Sequence, residues 1–161
     1  MTITKADAKR GAATERLFQA WLDRSLVPYT YFDQSIISVP KGLRRGGIKR
    51  PDFLVGFPNI GSIAFDVKSK SIYKNCFIFD DEEIRATANF EIFFNTTVWF
   101  AIFPPDDDFC YIVLNSFLRS EKTIKSKHGN QVVYYPLKEC QRVHPEEMTV
   151  DSAVFLMNSL A

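Results

Sequence analysis

Two short β-type segments joined by a tight turn constrain this chain more than any other feature. Residues 50–57 and 62–68 each alternate between bulky apolar side chains and other residue types, and Pro58-Asn59-Ile60-Gly61 separates them. Proline, asparagine and glycine are the residues that turns favour, and alternation with a period of two is the pattern of a half-buried strand. The two segments are therefore predicted to be neighbouring strands, paired as a hairpin.

The two faces of this hairpin differ in chemistry. Because side chains alternate along a strand, the second strand buries one apolar face and presents Asp66 and Lys68 on the other, about 7 Å apart along the backbone. In the first strand Asp52 lies opposite in direction to Phe53, so a hairpin would place Asp52 near Asp66. Such charged groups are costly at buried strand positions unless something compensates them, and a divalent cation bound by the carboxylates would do so. A lysine beside that ion suits metal-assisted hydrolysis of a phosphodiester.

The rest of the chain predicts a mixed α/β sheet with helices on its faces. Two longer helices are expected, one with apolar residues every three or four positions and one that begins with acidic residues: Lys9–Arg24, and Asp80 or Asp81 to about Phe94 with Asn95 as the stop. Further strands are expected at Tyr29–Val39, Thr96–Phe103, Phe109–Leu114 and Gln131–Tyr135. Pro40–Gly47 is predicted to be a turn, Ser69–Phe79 receives no assignment, and Pro136–Arg142 and Val150–Leu160 are predicted to be short helices.

Size and composition restrict the class of protein. At 161 residues the chain has room for one domain, predicted to span residues 1–161. The longest uninterrupted apolar run, Val98–Phe103, is far short of the roughly 20 residues that cross a bilayer. No apolar stretch follows the basic residues near the N-terminus, as a secretory signal requires, and three cysteines without a CxxC pair argue against a disulfide framework or a zinc site. We therefore expect a cytoplasmic protein that does not associate with a membrane.

Basic residues are concentrated just before the strand that carries Asp52. Residues 41–50 hold five basic side chains and no acidic one, although the net charge of the chain is only +1. Phosphate groups of a nucleic acid would pass beside the same site, and the candidate contacts are Lys41, Arg44, Arg45, Lys49, Arg50 and Lys70. A solvated loop explains the same charge equally well. No recognition-helix or zinc-finger pattern is present, so contacts to phosphates rather than base readout are expected.

The hairpin also resembles a known family. Pro51-Asp52, thirteen intervening residues, and Asp66-Val67-Lys68 are similar to the signature of the PD-(D/E)XK nuclease superfamily, which has the restriction-endonuclease-like fold. The resemblance implies an α-β-β-β-α-β core, here about residues 9–103, followed by an extension of about residues 104–161. It implies that Asp52, Asp66 and the Val67 carbonyl bind Mg²⁺ or Mn²⁺, and that Lys68 is the catalytic lysine.

Many members of that family add an acidic residue from the first helix, and Glu15 is the candidate here. At 100° per residue Glu15 falls on the flank of the apolar stripe, beside Phe18 and Leu22, so that it could point towards the rim of the sheet. A solvated helix glutamate is the alternative. On the second helix, polar residues such as Glu83 are available where some branches carry a glutamine, and the absence of that glutamine argues against the exonuclease branch.

These features together predict a metal-dependent nuclease that hydrolyses DNA, with RNA as an open alternative. A single domain without a recognition module resembles a structure-selective endonuclease, such as a Holliday-junction resolvase, more than a restriction enzyme. Symmetric cutting of two strands would require a homodimer, although the sequence shows no dimer surface. The alternative from another class is a catalytically inactive module of the same fold that binds nucleic acid or serves as a subunit of a complex.

Overall fold

The computed structural model describes residues 5–33, 40–57, 59, 61–126, 129–147, 149–152 and 154, with side chains described from residue 10 onward. The helices are α1 (Lys5–Ser25), α2 (Lys41–Arg45), α3 (Asp81–Phe94) and α4 (Asn115–Ser120). The strands are β1 (Tyr29–Tyr31), β2 (Phe53–Phe57), β3 (Gly61–Lys68), β4 (Cys76–Asp80), β5 (Thr97–Ile102), β6 (Cys110–Leu114), β7 (Ile124–Lys125), β8 (Gln131–Pro136) and β9 (Gln141–Val143). A 3₁₀ turn covers Leu137–Glu139, and residues 150–152 and 154 are helical.

The main sheet is mixed, as the sequence predicts. Its strand order is β1-β2-β3-β5-β6-β9, and a second sheet has the order β4-β8-β7. Strands β1, β2 and β3 form an antiparallel meander, and β3 then pairs in parallel with β5. A parallel pair needs a crossover connection, which here contains α3. The predicted order of helix, three antiparallel strands, helix and strand is therefore confirmed.

The main sheet lies between two different layers. On one face α1 buries Phe18, Trp21 and Leu22, and the Phe18 ring lies 5.2 Å from that of Phe53 and 5.1 Å from that of Phe65. On the other face lie α3, α4 and the second sheet, whose buried residues include Phe77, Phe79, Ile84, Leu118, Val133 and Tyr135. Complete burial of such side chains contributes roughly 1.5–3 kcal/mol each. Within the described ranges, no helix combines the length and apolar character that a bilayer-spanning segment needs.

Two local predictions are wrong. Pro40–Gly47 is not a simple turn, because Lys41–Arg45 form a helical turn in which the Arg44 N–H donates to the Pro40 carbonyl. Leucine, lysine and arginine are good helix formers, and Gly47, at φ +58°, lies where the chain leaves the helix. Pro136–Arg142 is not a helix either, since only a 3₁₀ turn forms before Arg142 pairs with Tyr111 at the sheet edge.

Two other segments depend on distant partners. The unassigned stretch contains β4, which pairs with β8 more than fifty residues later in the chain. The strand predicted at Tyr29–Val39 is observed only at Tyr29–Tyr31, since Phe32 and Asp33 lie outside it and residues 34–39 lie outside the described residues. Most of the helix predicted at Val150–Leu160 also lies outside the described residues.

The end of α3 gives a test of local stability. Asn95 follows the helix with φ +47° and ψ +49°, the left-handed conformation, and its N–H donates to the Glu91 carbonyl. Asparagine tolerates this conformation better than other residues with a side chain, so we expect Asn95→Ala to lower the free energy of unfolding by about 1 kcal/mol. Asn95→Gly is the matched control and is expected to unfold within a few tenths of a kcal/mol of wild type in urea. Equal stability of all three chains would contradict this explanation.

Candidate metal and phosphate site

Asp52 occupies the position where β2 begins beside β3. Pro51 has no N–H to donate, so the regular backbone pairing of the strand cannot extend through it. The Asp52 N–H still donates to the Phe65 carbonyl at 2.9 Å, and its side chain then accepts the Val67 N–H at Oδ2, 2.7 Å away. The Pro-Asp pair therefore sets where β2 begins, and it directs a carboxylate towards the neighbouring strand β3.

Asp66 lies opposite Asp52 in the register of the hairpin, since Phe53 pairs with Phe65. Both carboxylates are buried, with Asp52 exposed by 6% and Asp66 by 1%. Burial raises the pKa of Asp52 to about 7, and the neighbouring Asp66 carboxylate adds to this increase. The two acidic side chains are thus close enough to repel each other, as the alternation of the sequence predicts.

Lys68 lies beside Asp66 and also reaches helix α3. Its Nζ is 2.7 Å from Asp66 Oδ2 and 3.2 Å from Glu83 Oε1. Burial alone would lower the pKa of Lys68, but the carboxylates of Asp66 and Glu83 outweigh burial and hold this pKa well above its ordinary value. The ammonium group is therefore charged and held at the carboxylate pair.

Glu83 and Lys49 complete a cluster of alternating charges. The Lys49 Nζ lies 2.6 Å from Asp66 Oδ2 and 2.6 Å from Glu83 Oε1, while Lys70 Nζ lies 4.0 Å from Glu83 Oε2. Burial opposes ionisation of Glu83, but Lys68, Lys49 and Lys70 hold its pKa well below the ordinary value. Glu83 is consequently an ionised carboxylate that three ammonium groups surround.

Helix α3 places Glu83 in this cluster. Glu83 lies in the first turn of α3, and the adjacent Ile84 is buried against the second core cluster. Because α3 packs on the sheet face that carries Asp66 and Lys68, the first turn of the helix lies over the ends of their side chains. The sequence shows Glu83 only as one of several available polar residues. The sequence around the motif holds three lysines, Lys49, Lys68 and Lys70, but only two carboxylates, Asp52 and Asp66. This excess of lysines is the one signal that would have favoured a third acidic partner.

The donor atoms at this position fit a hard divalent cation. Asp66 Oδ1 is buried and has no hydrogen-bond partner among the described residues, whereas Asp66 Oδ2 faces the two lysines. Mg²⁺ is often held by only one or two carboxylates, with water and substrate phosphate oxygens as its other ligands. Within the described part of the chain, no group of three or more His, Cys, Asp or Glu side chains is clustered to bind a metal. Asp52 and Asp66 are thus the acidic pair available, with the Val67 carbonyl on the same strand end.

Glu15 is held against β1, the edge strand of the main sheet. Its Oε2 accepts a hydrogen bond of 2.8 Å from the Tyr31 hydroxyl on β1. Burial raises the pKa of Tyr31 to about 12, with contributions from Glu15 and from Asp52. The structure therefore places Glu15 against Tyr31, whose pKa the Asp52 carboxylate also raises. The role of Glu15 as a metal ligand stays a prediction.

The six basic candidates fall into an outer and an inner group. Lys41, Arg44 and Arg45 are exposed on α2. The other three turn towards the protein: Lys49 bridges Asp66 and Glu83, the Arg50 guanidinium donates to the Asp33 carbonyl, and Lys70 donates to the Ile78 carbonyl at 3.0 Å. Burial lowers the pKa of Lys70, against the opposing effect of Glu83. Charge alone did not distinguish the two groups.

The single α/β domain, with its mixed central sheet and flanking helices, agrees with the fold predicted from the motif. One solved structure with this fold is that of Archaeoglobus fulgidus Hjc, described as a Holliday junction resolvase from an archaeal hyperthermophile. The two chains share 13% sequence identity with a TM-score of 0.54, over 90% of this chain and 96% of the other. No protein-family model and no curated protein matches the sequence. At this identity the similarity establishes the fold.

Proposed function

We propose that this protein is a metal-dependent nuclease that hydrolyses DNA phosphodiester bonds, with a preference for DNA structure rather than sequence. The observation that carries the proposal is the pairing of Asp52 with Asp66, two buried carboxylates of which one oxygen, Asp66 Oδ1, has no partner among the described residues. A buried carboxylate oxygen without a partner is costly, and a bound cation would remove that cost. The similarity to the resolvase structure supports the fold in which such chemistry occurs.

Each residue has a definite task in this proposal. Asp52, Asp66 and the Val67 carbonyl would hold Mg²⁺ or Mn²⁺, and Glu15 would join them from α1. When bound, the ion supplies Lewis-acid stabilisation of a phosphoryl oxygen and a nucleophilic water at neutral pH. Lys68 holds its proton, since its pKa is raised, and therefore stabilises negative charge that develops on the phosphate. The exposed bases of α2 bind the nucleic-acid backbone as it passes.

One observation favours a second candidate function, a nucleic-acid-binding module without catalysis. Lys49 and Lys68 already neutralise Asp66 and Glu83, so much of the cluster is compensated without a metal. Such a module would bind DNA through α2 and leave it intact. For either function we predict a cytoplasmic location and a homodimer.

Cleavage with a lysine variant separates the two functions. The purified chain is incubated with supercoiled, linear and branched DNA in Mg²⁺ or Mn²⁺, with RNA substrates in parallel. We expect cleavage, fastest on branched DNA, that EDTA abolishes and that Lys68→Ala lowers by about 100-fold. Lys138→Ala is the matched control, because Lys138 is 82% exposed and pairs only with its neighbour Glu139 among the contacts described.

Two results would count against the nuclease. DNA binding without cleavage under all these conditions would favour the binding module. Cleavage at the wild-type rate by Lys68→Ala would mean that the activity comes from a contaminant or another site. Cleavage confined to RNA would replace the proposed substrate and leave the site assignment intact.

A further inference from the structure

Two lysines meet at the same pair of carboxylate oxygens. Lys49 Nζ and Lys68 Nζ each lie within 3.2 Å of both Asp66 Oδ2 and Glu83 Oε1. Because they share these two oxygens, the two ammonium groups lie side by side. The motif accounts for Lys68, whereas nothing in the motif assigns Lys49 a place at the reacting group.

Contacts with helix α3 fix the position of Lys49. Its backbone N–H donates to the Ala86 carbonyl of α3 at 3.0 Å, one turn from Glu83. The preceding Ile48 packs against the cluster that contains Phe90 of the same helix. Asn89 also donates to the backbone carbonyls just before Ile48. Helix α3 therefore fixes both the backbone of Lys49 and the carboxylate that holds its side chain, unlike a lysine on a free loop.

The two ammonium groups form the outer layer of the site. The side chain of Lys49 is 30% exposed and that of Lys68 is 21% exposed, whereas Asp66 beneath them is 1% exposed. An anion that approaches from solvent therefore meets the ammonium groups before the Asp66 carboxylate, whereas the side chain of Glu83 is as exposed as that of Lys68, at 21%. A pair of neighbouring ammonium groups is suited to an oxygen of a phosphate, since hydrogen bonds between charged partners are the strong ones.

The formal charges of the cluster support this arrangement. When every group is ionised, Asp52, Asp66 and Glu83 contribute three negative charges and Lys49, Lys68 and Lys70 contribute three positive ones, so the formal charge of the cluster is zero. A divalent cation would raise the total to two positive charges. Hydrolysis of a phosphodiester passes from one to two negative charges on the phosphate, and Lys49 therefore completes the match to the transition state.

We propose that Lys49 is a second phosphate-binding ammonium of the active site, which acts beside Lys68 and is held in position by Glu83. The inference rests on the proposed function and extends it by one catalytic residue, Lys49, and one positioning residue, Glu83. Lys49 contacts the phosphate directly, whereas Glu83 acts by orienting the two lysines. No bond is made or broken by either group.

Binding of a nucleotide tests the proposal without any need for cleavage. Thymidine 5′-phosphate is titrated calorimetrically into the full chain in the presence of Ca²⁺. We expect Lys49→Gln to weaken binding by about tenfold or more, Lys49→Arg to bind within about threefold of wild type, and Lys138→Gln to bind like wild type. Near-ultraviolet circular dichroism and thermal unfolding check that each variant is folded.

Glu83→Gln gives the more specific result. Removal of a negative charge beside an anion site should strengthen nucleotide binding if charge alone matters. If Glu83 positions the lysines, Glu83→Gln instead weakens binding about as much as Lys49→Gln does. Stronger binding by Glu83→Gln, nucleotide binding by Lys49→Gln within twofold of wild type, or no binding by the wild-type chain would each overturn the proposal.

Failure of this inference can be distinguished from failure of the proposed function. Cleavage of DNA is measured separately for the wild-type chain and Lys49→Gln. Unchanged cleavage by Lys49→Gln would overturn the proposed role of Lys49 and leave the proposed nuclease function intact. Nucleotide binding that depends on Lys49, in a wild-type chain that cleaves nothing, would support the two-lysine site and contradict the nuclease.

Discussion

Asp66→Asn is expected to lower the single-turnover rate of DNA cleavage by about 1000-fold or more. Asp66 has two tasks, because Oδ1 is the oxygen without a partner among the described residues and Oδ2 accepts both Lys49 and Lys68. An asparagine side chain offers no negative charge to a cation or to the lysines. The rate is measured with branched DNA in Mg²⁺, with enzyme in excess over substrate.

The control for this variant is Asp106→Asn. Asp106 is an exposed carboxylate in the turn before β6, and its replacement is expected to leave the rate unchanged. Because Asp66 is buried beside two ammonium groups, thermal unfolding must show that Asp66→Asn is folded. A folded Asp66→Asn chain that cleaves within tenfold of wild type would contradict the site.

Asp52→Asn is expected to stabilise the metal-free protein while it abolishes cleavage. Burial and the adjacent Asp66 raise the pKa of Asp52 from 3.8 to about 7. A shift of this size corresponds to roughly 4 kcal/mol of destabilisation when the carboxylate is ionised. Asparagine of nearly the same shape removes that cost, although it also removes a metal ligand. A gain in stability with a loss of activity is typical of a residue kept for function.

The same shift fixes the sign of the pH dependence. The folded protein binds the Asp52 proton more tightly than the unfolded chain does. The stabilising contribution of Asp52 is therefore fully present below about pH 4 and is lost as pH rises through about 7. Urea unfolding in EDTA should therefore show a loss of roughly 2–3 kcal/mol between about pH 5 and about pH 8. Asp52→Asn should remove most of this slope, and added Mn²⁺ should restore wild-type stability at the higher pH. A wild-type chain whose stability is constant across this range would contradict the burial of an uncompensated Asp52.

The hairpin shows how much of the site sequence reasoning could predict. Strand alternation depends only on local backbone geometry, so it placed Asp52, Asp66 and Lys68 on one face before any tertiary contact was known. The stop of α3 at Asn95 and the buried strand β5 were predictable for the same reason, since both follow from residue types and spacing within one element. The same local patterns also predicted the order of helices and strands in the core.

Contacts between distant segments were not predictable in this way. The pairing of Lys49 with Glu83 depends on how α3 packs across the sheet, and no local pattern encodes that packing. Strand β4 was missed because its partner β8 lies far along the chain and supplies the hydrogen bonds that define it. The surroundings of the basic side chains were not predictable for a related reason, because charge at Lys49 or Lys70 does not reveal whether the side chain faces solvent or a buried carboxylate.

The proposed chemistry depends on Asp52 and Asp66 binding a divalent cation together. The direct test is a crystal of the wild-type chain soaked with Mn²⁺, with anomalous diffraction measured to locate the metal. We predict an anomalous peak within about 2.3 Å of carboxylate oxygens from both residues, one of them Asp66 Oδ1, and no such peak in Asp66→Asn crystals. A well-ordered wild-type site without a peak, or an equal peak in the Asp66→Asn crystal, would contradict the account.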